Sequence, residues 1–503
     1  MPAPGPNSLK VAFITPELAP LVRRTQLADF TQALTRALKG VGADVRVFMP
    51  RTDPLFDDVL EGISEVGVVE VRDGRGRVEF RISAGELEGV PVYLMENEEF
   101  FGRRNPYGGE EGPYEDNWRR FELFARAVLA ALVAIDFEPD ILHCVDWTTG
   151  LVPLIHKLEY VDKHRPGKLE RAGTFFQIQN LAIQGAFERE VLPHMGLPHR
   201  TFTSPTGIEL AGKVNFLKAG CEYATILGTH SPGHALRIQE QDRGYGLEGV
   251  FRRRHKELVG IANGIDYATW DPSADPLLAQ PFSARDKTLA GKKKCKTALQ
   301  AAMGLDRGPR TPLVAMIGRF DSDSGFEILA EMLTPILERN LEVVLMGAGR
   351  ADIHERLKTM ETTFTGRCRV IEGYQLNTAH AIMGGADILL LPSHYAPGNA
   401  LCAIGMRYGV VPIIYAGGGL EDYVVDLEAN SRGGTGFHFK QYSGDGLLEG
   451  IDGARKLYRN AGGWKTLVSR CLRQDFSWHS TAQEYLKAYR RVTRRARPRK
   501  QSA

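Results

Sequence analysis

Twice along this chain, short aliphatic or β-branched runs alternate with longer amphipathic stretches, and that alternation restricts the fold more than any other feature. Such runs are strands of parallel sheets, and the stretches between them are crossover helices. In the first half, strands are expected at LKVAFIT, DVRVFMP, PVYLME, DILHCVD and TFFQIQN, with helices at Leu27 to Lys39 and Trp118 to Ala134. A further helix, Phe216 to Ala224, leads to a strand at TILGTHS. The pattern restarts with LVAMIGRF, LEVVLMGAG, CRVIEGY, ADILLLPS and VPIIYAGG. In GFEILAEMLTPILERN, residues Ile328, Leu329, Met332, Leu333 and Ile336 fall on one helical face. Between the halves, IANGIDYATWDPSADP is a connector by composition and marks a boundary after residue 262. The expected class is α/β, with two doubly wound sheets. Ligands of such sheets bind beyond the carboxyl ends of the strands, so two sheets facing each other would make a cleft lined by post-strand loops.

Composition narrows the function. With 63 Lys plus Arg against 61 Asp plus Glu in 503 residues, the chain lacks the electrostatic footprint of a dedicated nucleic-acid or membrane-surface binder. The final RRVTRRARPRK is locally basic, and a solvated terminus accounts for it. The six cysteines have no paired spacing that suggests a metal or redox site, which fits free thiols in a cytoplasmic setting. The apolar run Ala127 to Ile135 is far short of a membrane span of ~20 residues.

The order ITPELAP, HCVDWTTGLVPL, QNLAIQGAF, NFLKAG, GYGLEGV, NGIDYATWDP, IGRF, EGYQLNTAHAIMGGADILLLPS, MRYGVVPI, GGGLEDYVVD and DFSWHSTAQEYLKAYRR resembles the bacterial glycogen and starch synthases, from about Lys10 to Arg490. The resemblance implies a GT-B fold: two Rossmann-like domains facing across a cleft, and a C-terminal helix crossing back to the first. The expected divisions are 1–8 as a disordered N-terminus, 9–262 as the acceptor-side domain and 263–470 as the nucleotide-sugar domain. They continue with 471–490 as the crossover helix and 491–503 as a basic disordered tail. The implied reaction is retaining transfer of glucose from ADP-glucose to an α-1,4-glucan, with no metal and no cofactor.

Such chemistry needs cations and backbone N–H groups for the departing diphosphate, and hydrogen-bonding partners for the sugar. Where the family has Lys, one variable residue and a Gly-Gly pair, this chain has Arg23, Arg24, Thr25 and Gln26. The side chains at 25 and 26 deny a phosphate the close approach that glycine permits. Arg23 and Arg24 are either a solvated surface or a ligand contact. The family's His-Asp-Trp becomes Val145-Asp146-Trp147, which removes an imidazole, and the His before Asn-Leu-Ala becomes Gln179. His143 matches a second motif histidine and is read as structural, while Asn180 and Gln184 are retained.

In the second half Arg319 is kept, but the expected Lys falls on Ser324, with Asp321 and Asp323 nearby. The family's acidic run Glu-Pro-Cys-Gly-Leu-Thr reads Ala396-Pro397-Gly398-Asn399-Ala400-Leu401, so the sugar-binding carboxylate is gone, although Gly398 could still offer a backbone N–H. Retained positions with an implied nucleotide-sugar role are Arg319, Tyr374, Gly398, Gly417, Gly418, Gly419 and Asn263; those with a glucan role are Asp146, Trp147 and Asn180. Tyr374 either stacks on adenine or caps the sheet edge, and Gly417 to Gly419 either contact the ligand or form a flexible turn.

The replacements cluster in loops around one site, at Arg23, Thr25, Gln26, Val145, Gln179, Ser324 and Ala396. The reading that follows is a synthase-like protein with lost or impaired catalysis that binds α-glucan, ADP-glucose or ADP, or an active synthase partner. The alternatives are a working transferase with a changed donor or low rate, and a module acting through its basic tail on nucleic acid or acidic surfaces.

Overall fold

The computed structural model describes residues 8–52, 56, 58–163, 169–394 and 400–496. The expected disordered N-terminus therefore lies outside the described residues except for Ser8, as do residues 497–503 of the expected tail. The chain divides into two compact units: one runs to Ile261 and resumes at Trp478, and the other is Ala262–Ser477.

The first unit is built on a nine-stranded sheet. Its strands are β1 (Lys10–Ile14), β2 (Asp44–Pro50), β3 (Glu61–Arg72), β4 (Arg77–Leu87), β5 (Val90–Glu96), β6 (Ile141–Val145), β7 (Gly173–Ile178), β8 (Ile226–Thr229) and β9 (Leu258–Gly260). They lie in the order β9-β8-β7-β6-β1-β2-β5-β4-β3. All neighbours are parallel except in the β3–β4–β5 meander, of which β5 was expected and β3 and β4 were not. Strand β3 is largely exposed, with register shifts near Glu61 and Glu65, so it has the irregular pattern of an edge and no apolar run to announce it. In register, Phe13 of β1 sits beside His143 of β6, and Val145 beside Gln177 of β7, so the loops after β1, β6 and β7 emerge at the same end.

Each face of this sheet is covered. The Asn117–Ala134 helix buries Phe121, Phe124 and Leu132 among the residues of one core, and the Gln26–Gly40 helix buries Phe30, Leu34 and Leu38 in the other. That second core also receives Tyr485, Tyr489 and Val492 of the Trp478–Ala496 helix. The helix departs from the expected 471–490 span at both ends. Cys471 and Leu472 close the Ala461–Leu472 helix of the other unit, and residues 491–496, expected in a disordered tail, are helical. Buried Val492 and the Arg495–Glu257 pair at 2.6 Å hold that last turn, where basic side chains also suit the helix dipole.

The second unit has a fully parallel six-stranded sheet: β10 (Leu313–Phe320), β11 (Glu342–Gly349), β12 (Cys368–Glu372), β13 (Ile388–Leu391), β14 (Val411–Tyr415) and β15 (Phe437–Phe439), ordered β12-β11-β10-β13-β14-β15. The first five occupy the expected runs. Strand β15 is three residues long, too short for a periodicity to show. The Phe326–Glu338 helix buries Ile328, Leu329, Leu333 and Ile336 as its spacing requires, while Met332 is only partly buried. Order reverses between β10 and β13, so the loops after these two strands flank the switch point where doubly wound sheets bind ligands.

Candidate functional site

In the first unit, the loop after β1 is tied to itself by Glu17. This buried carboxylate accepts the backbone N–H groups of Arg24 and Thr25, each at 2.8 Å through Oε2, and the Thr25 hydroxyl at 2.9 Å through Oε1. Tyr107 donates its hydroxyl to the same Oε1. Thr25 in turn accepts from the Leu27 N–H at 3.2 Å and caps the following helix. The loop is thus a closed hydrogen-bonded knot, in which the N–H groups of 24 and 25 already have an anion. Arg23 pairs with Asp29 at 3.0 Å in solvent, and Arg24 donates to the Arg104 carbonyl at 3.0 Å. Gln26, the first residue of the helix, is exposed.

Asp146 follows β6 with φ of 54°, a left-handed conformation that an aspartate adopts only when its surroundings enforce it. Its Oδ1 accepts the N–H of Gln179 at 2.7 Å and of Asn180 at 3.2 Å, which brings three of the expected residues together. Burial pushes its carboxyl up to about 7 against those two donors, and the Glu17 charge adds to the rise. Burial, with Glu17 and then Asp146 nearby, also drives Tyr107 well above the ordinary phenol range. Gln184 accepts from the Asn215 amide at 2.7 Å and donates to the Leu181 and Tyr245 carbonyls, so it fastens loops together.

Three positions are packing groups. Val145 is fully buried in the core. Trp147, expected on the glucan side, is 9% exposed, stands edge-on to Phe121 at 4.9 Å, and would be struck at 2.3 Å by a Cβ on Gly185. Its indole packs into the support of the loop. His143 is buried against Phe13 at 4.2 Å with Nδ1 on the Tyr489 hydroxyl at 2.6 Å, and burial lowers its pKa to about 3. A neutral structural histidine is the outcome.

In the second unit Asp321 plays the part that Glu17 plays in the first. Its Oδ2 lies 3.1 Å from Arg319 Nε, and its Oδ1 accepts the Ser324 N–H at 2.7 Å. The Arg319 guanidinium and the Ser324 N–H both meet a carboxylate of the same loop, although the Arg319 side chain remains 77% exposed. A cavity of about 190 Å³ at this end of β10 and β13 is lined by Arg319, Asp323, Ser324, Ser393 and Leu401. Ala396 and Gly398 lie outside the described residues.

Gly419 donates its N–H to Glu421 at 2.8 Å. A Cβ at Gly418 would sit 2.5 Å from the Ser393 carbonyl oxygen, so the glycine run has a packing reason of its own. Tyr374, after β12, is 59% exposed, and its ring is accessible. The Asn263 carbonyl accepts from Tyr423 at 3.4 Å, while its Oδ1 is buried without a hydrogen-bond partner among the described residues. Also among the described residues, no group of three or more His, Cys, Asp and Glu side chains is placed to hold a metal ion, and no helix is long and apolar enough to cross a membrane.

Sequence reasoning missed Glu17 and Tyr107. Glu17 stood in a quoted motif, but a single carboxylate gives no sign that it will fold back on its own loop. Tyr107 lies 90 residues away, in a stretch with no periodicity.

Residues 10–253 match the starch synthase catalytic domain family, and residues 305–459 match glycosyl transferases group 1. The catalytic domain of starch synthase IV from Arabidopsis thaliana, solved bound to ADP and acarbose, superposes with a TM-score of 0.78 at 29% identity, covering 97% of this chain and 100% of that one. Sucrose-phosphate synthase from Thermosynechococcus elongatus shares the fold alone, at TM-score 0.53 and 16% identity over 96% of this chain and 99% of its own. Two doubly wound units with these likenesses define a glycosyltransferase of the GT-B class. Glycogen synthase 2 of Geobacter sulfurreducens is 38% identical over 96% of this chain and 98% of its own, and glycogen synthase of Anaeromyxobacter sp. is 37% identical over 96% and 99%. The chain belongs to the glycogen and starch synthase family.

Proposed function

We propose that this family member has lost, or retains only weakly, the transfer of glucose from ADP-glucose to an α-1,4-glucan, and that it acts by binding glucan, nucleotide or an active synthase. The observation that carries this reading is the internal pairing of candidate anion donors: Glu17 accepts the N–H groups of Arg24 and Thr25, and Asp321 accepts the Ser324 N–H and forms an exposed ion pair with Arg319. A carboxylate tethered within a few residues competes at an effective concentration on the order of millimolar or more. Its charge also repels a diphosphate by about 1–4 kcal/mol per close pair. The missing imidazole at Val145 and the replacement of Lys by Ser324 remove further stabilisation, each loss of a preorganised donor costing about 3–4 kcal/mol in other enzymes. Nucleotide and glucan are the proposed ligands because the Arabidopsis relative was solved with ADP and acarbose, and because Tyr374 leaves a ring open for a base.

Radiolabelled transfer from ADP-glucose to glycogen by the pure protein tests the proposal. The expected rate is at least ~100-fold below that of an active relative, and a comparable rate rejects it. A second reading, a transferase with a changed donor, draws on the exposed Arg319 and on Asp146, whose pKa near 7 suits proton transfer. Calorimetry across nucleotide sugars tests the second reading, which requires tight binding of at least one donor and is rejected if none binds.

A further inference from the structure

We propose that the second unit carries a binding site for a small phosphate-bearing molecule at the end of its sheet opposite the donor loops. A cavity of about 720 Å³ there is lined by Lys293, Arg310, Arg339, Arg455, Arg459 and Lys465. It opens where β10 and β11 begin: Pro312, which lines it, precedes Leu313, and Asn340 lies two residues before Glu342. Arg319 and Asp321 stand at the far end of β10, whose eight residues at ~3.3 Å each place them about 25 Å away.

Among the described residues, no acidic side chain lines this cavity. The carboxylate that reaches the cluster is Asp452, which accepts from Arg339 at 3.0 Å and Arg455 at 2.8 Å. Lys293, Arg310, Arg459 and Lys465 are exposed, and among the described residues no carboxylate pairs with them. Six cations around one cavity, only two of them sharing a carboxylate, repel one another, and a ligand with two or more negative charges relieves that repulsion. The Trp464 and Tyr458 rings, 5.0 Å apart and steeply inclined, supply an apolar floor for a sugar or base. The volume falls within the ~300–1,000 Å³ usual for small-ligand sites. A concave pocket of this kind suits a small molecule, whereas a nucleic-acid backbone would need an extended basic stripe.

Calorimetric titration of the full chain with inorganic pyrophosphate, ribose 5-phosphate and AMP tests the site and distinguishes bare phosphate from phosphate carried on a sugar or base. The expected result is saturable one-to-one binding of at least one probe. It should weaken at least about tenfold in the Arg459→Ala/Lys465→Ala variant, weaken also in Lys293→Ala, and remain unchanged in Arg319→Ala. The substituted residues are exposed, so unfolding midpoints should match the parent chain and any loss of binding should be local. The proposal is overturned if none of the probes saturates at millimolar concentration, if Arg319→Ala abolishes the binding, or if heparin binds where all three probes fail.

Discussion

Asp321 exerts its effect by standing between two donors, and its removal is informative for that reason. Asp321→Ala should release the Arg319 guanidinium and the Ser324 N–H. Affinity for ADP measured by calorimetry should then rise about tenfold, the value of one charge-assisted hydrogen bond, and an unchanged affinity would count against the internal-anion account. His143 gives a pH signature. Its pKa of about 3 lies below the ordinary ~6.5, so the folded chain binds fewer protons than the unfolded one in that interval, and stability present above ~6.5 is lost as pH falls toward 3. Asp146, raised to about 7, acts oppositely: its contribution declines as pH climbs from the carboxylate range through 7. The drop in unfolding midpoint between about pH 7 and about pH 5 should therefore shrink in His143→Phe and steepen in Asp146→Asn. At this scale the motifs set the expectation of departures from the family pattern at Val145, Gln179 and Ser324. They did not point to Glu17 and Tyr107, which meet only after folding.

Among the elements, the Trp478–Ala496 helix contributes most from the greatest distance in sequence. Tyr489 fills a fully buried place in the first unit's core and bonds the His143 imidazole, and Tyr485 donates to Gln177 at 3.2 Å. Tyr489→Ala should cost about 3–5 kcal/mol in denaturant unfolding, whereas Tyr489→Phe, which keeps the ring and orphans the imidazole, should cost about 1–3 kcal/mol. Equal losses in both would mean that the ring packs loosely. The longer parallel strands were legible as buried apolar runs, whereas β9 and β15, at three residues each, were too short to show a pattern. The β3–β4 hairpin was not, since an exposed edge with register shifts alternates irregularly, and the last turn of the C-terminal helix read as tail because its arginines hide the buried Val492.

For the whole molecule, retained architecture and altered loops are separable properties. The doubly wound units depend on cores that the substitutions at 25, 26 and 324 do not enter, so returning family residue types to the loops should leave the fold intact. The combined variant Thr25→Gly, Gln26→Gly, Ser324→Lys and Ala396→Glu should raise glucosyl transfer from ADP-glucose by about 100-fold or more over the parent chain, measured as radiolabel incorporated into glycogen. No gain would locate the defect elsewhere, with Val145 the first suspect. The most direct measurement is a crystal of the parent chain soaked in ADP-glucose. The account predicts that Asp321 still holds Arg319 and the Ser324 N–H with no ordered diphosphate against them. A diphosphate clasped by those same two donors would contradict it.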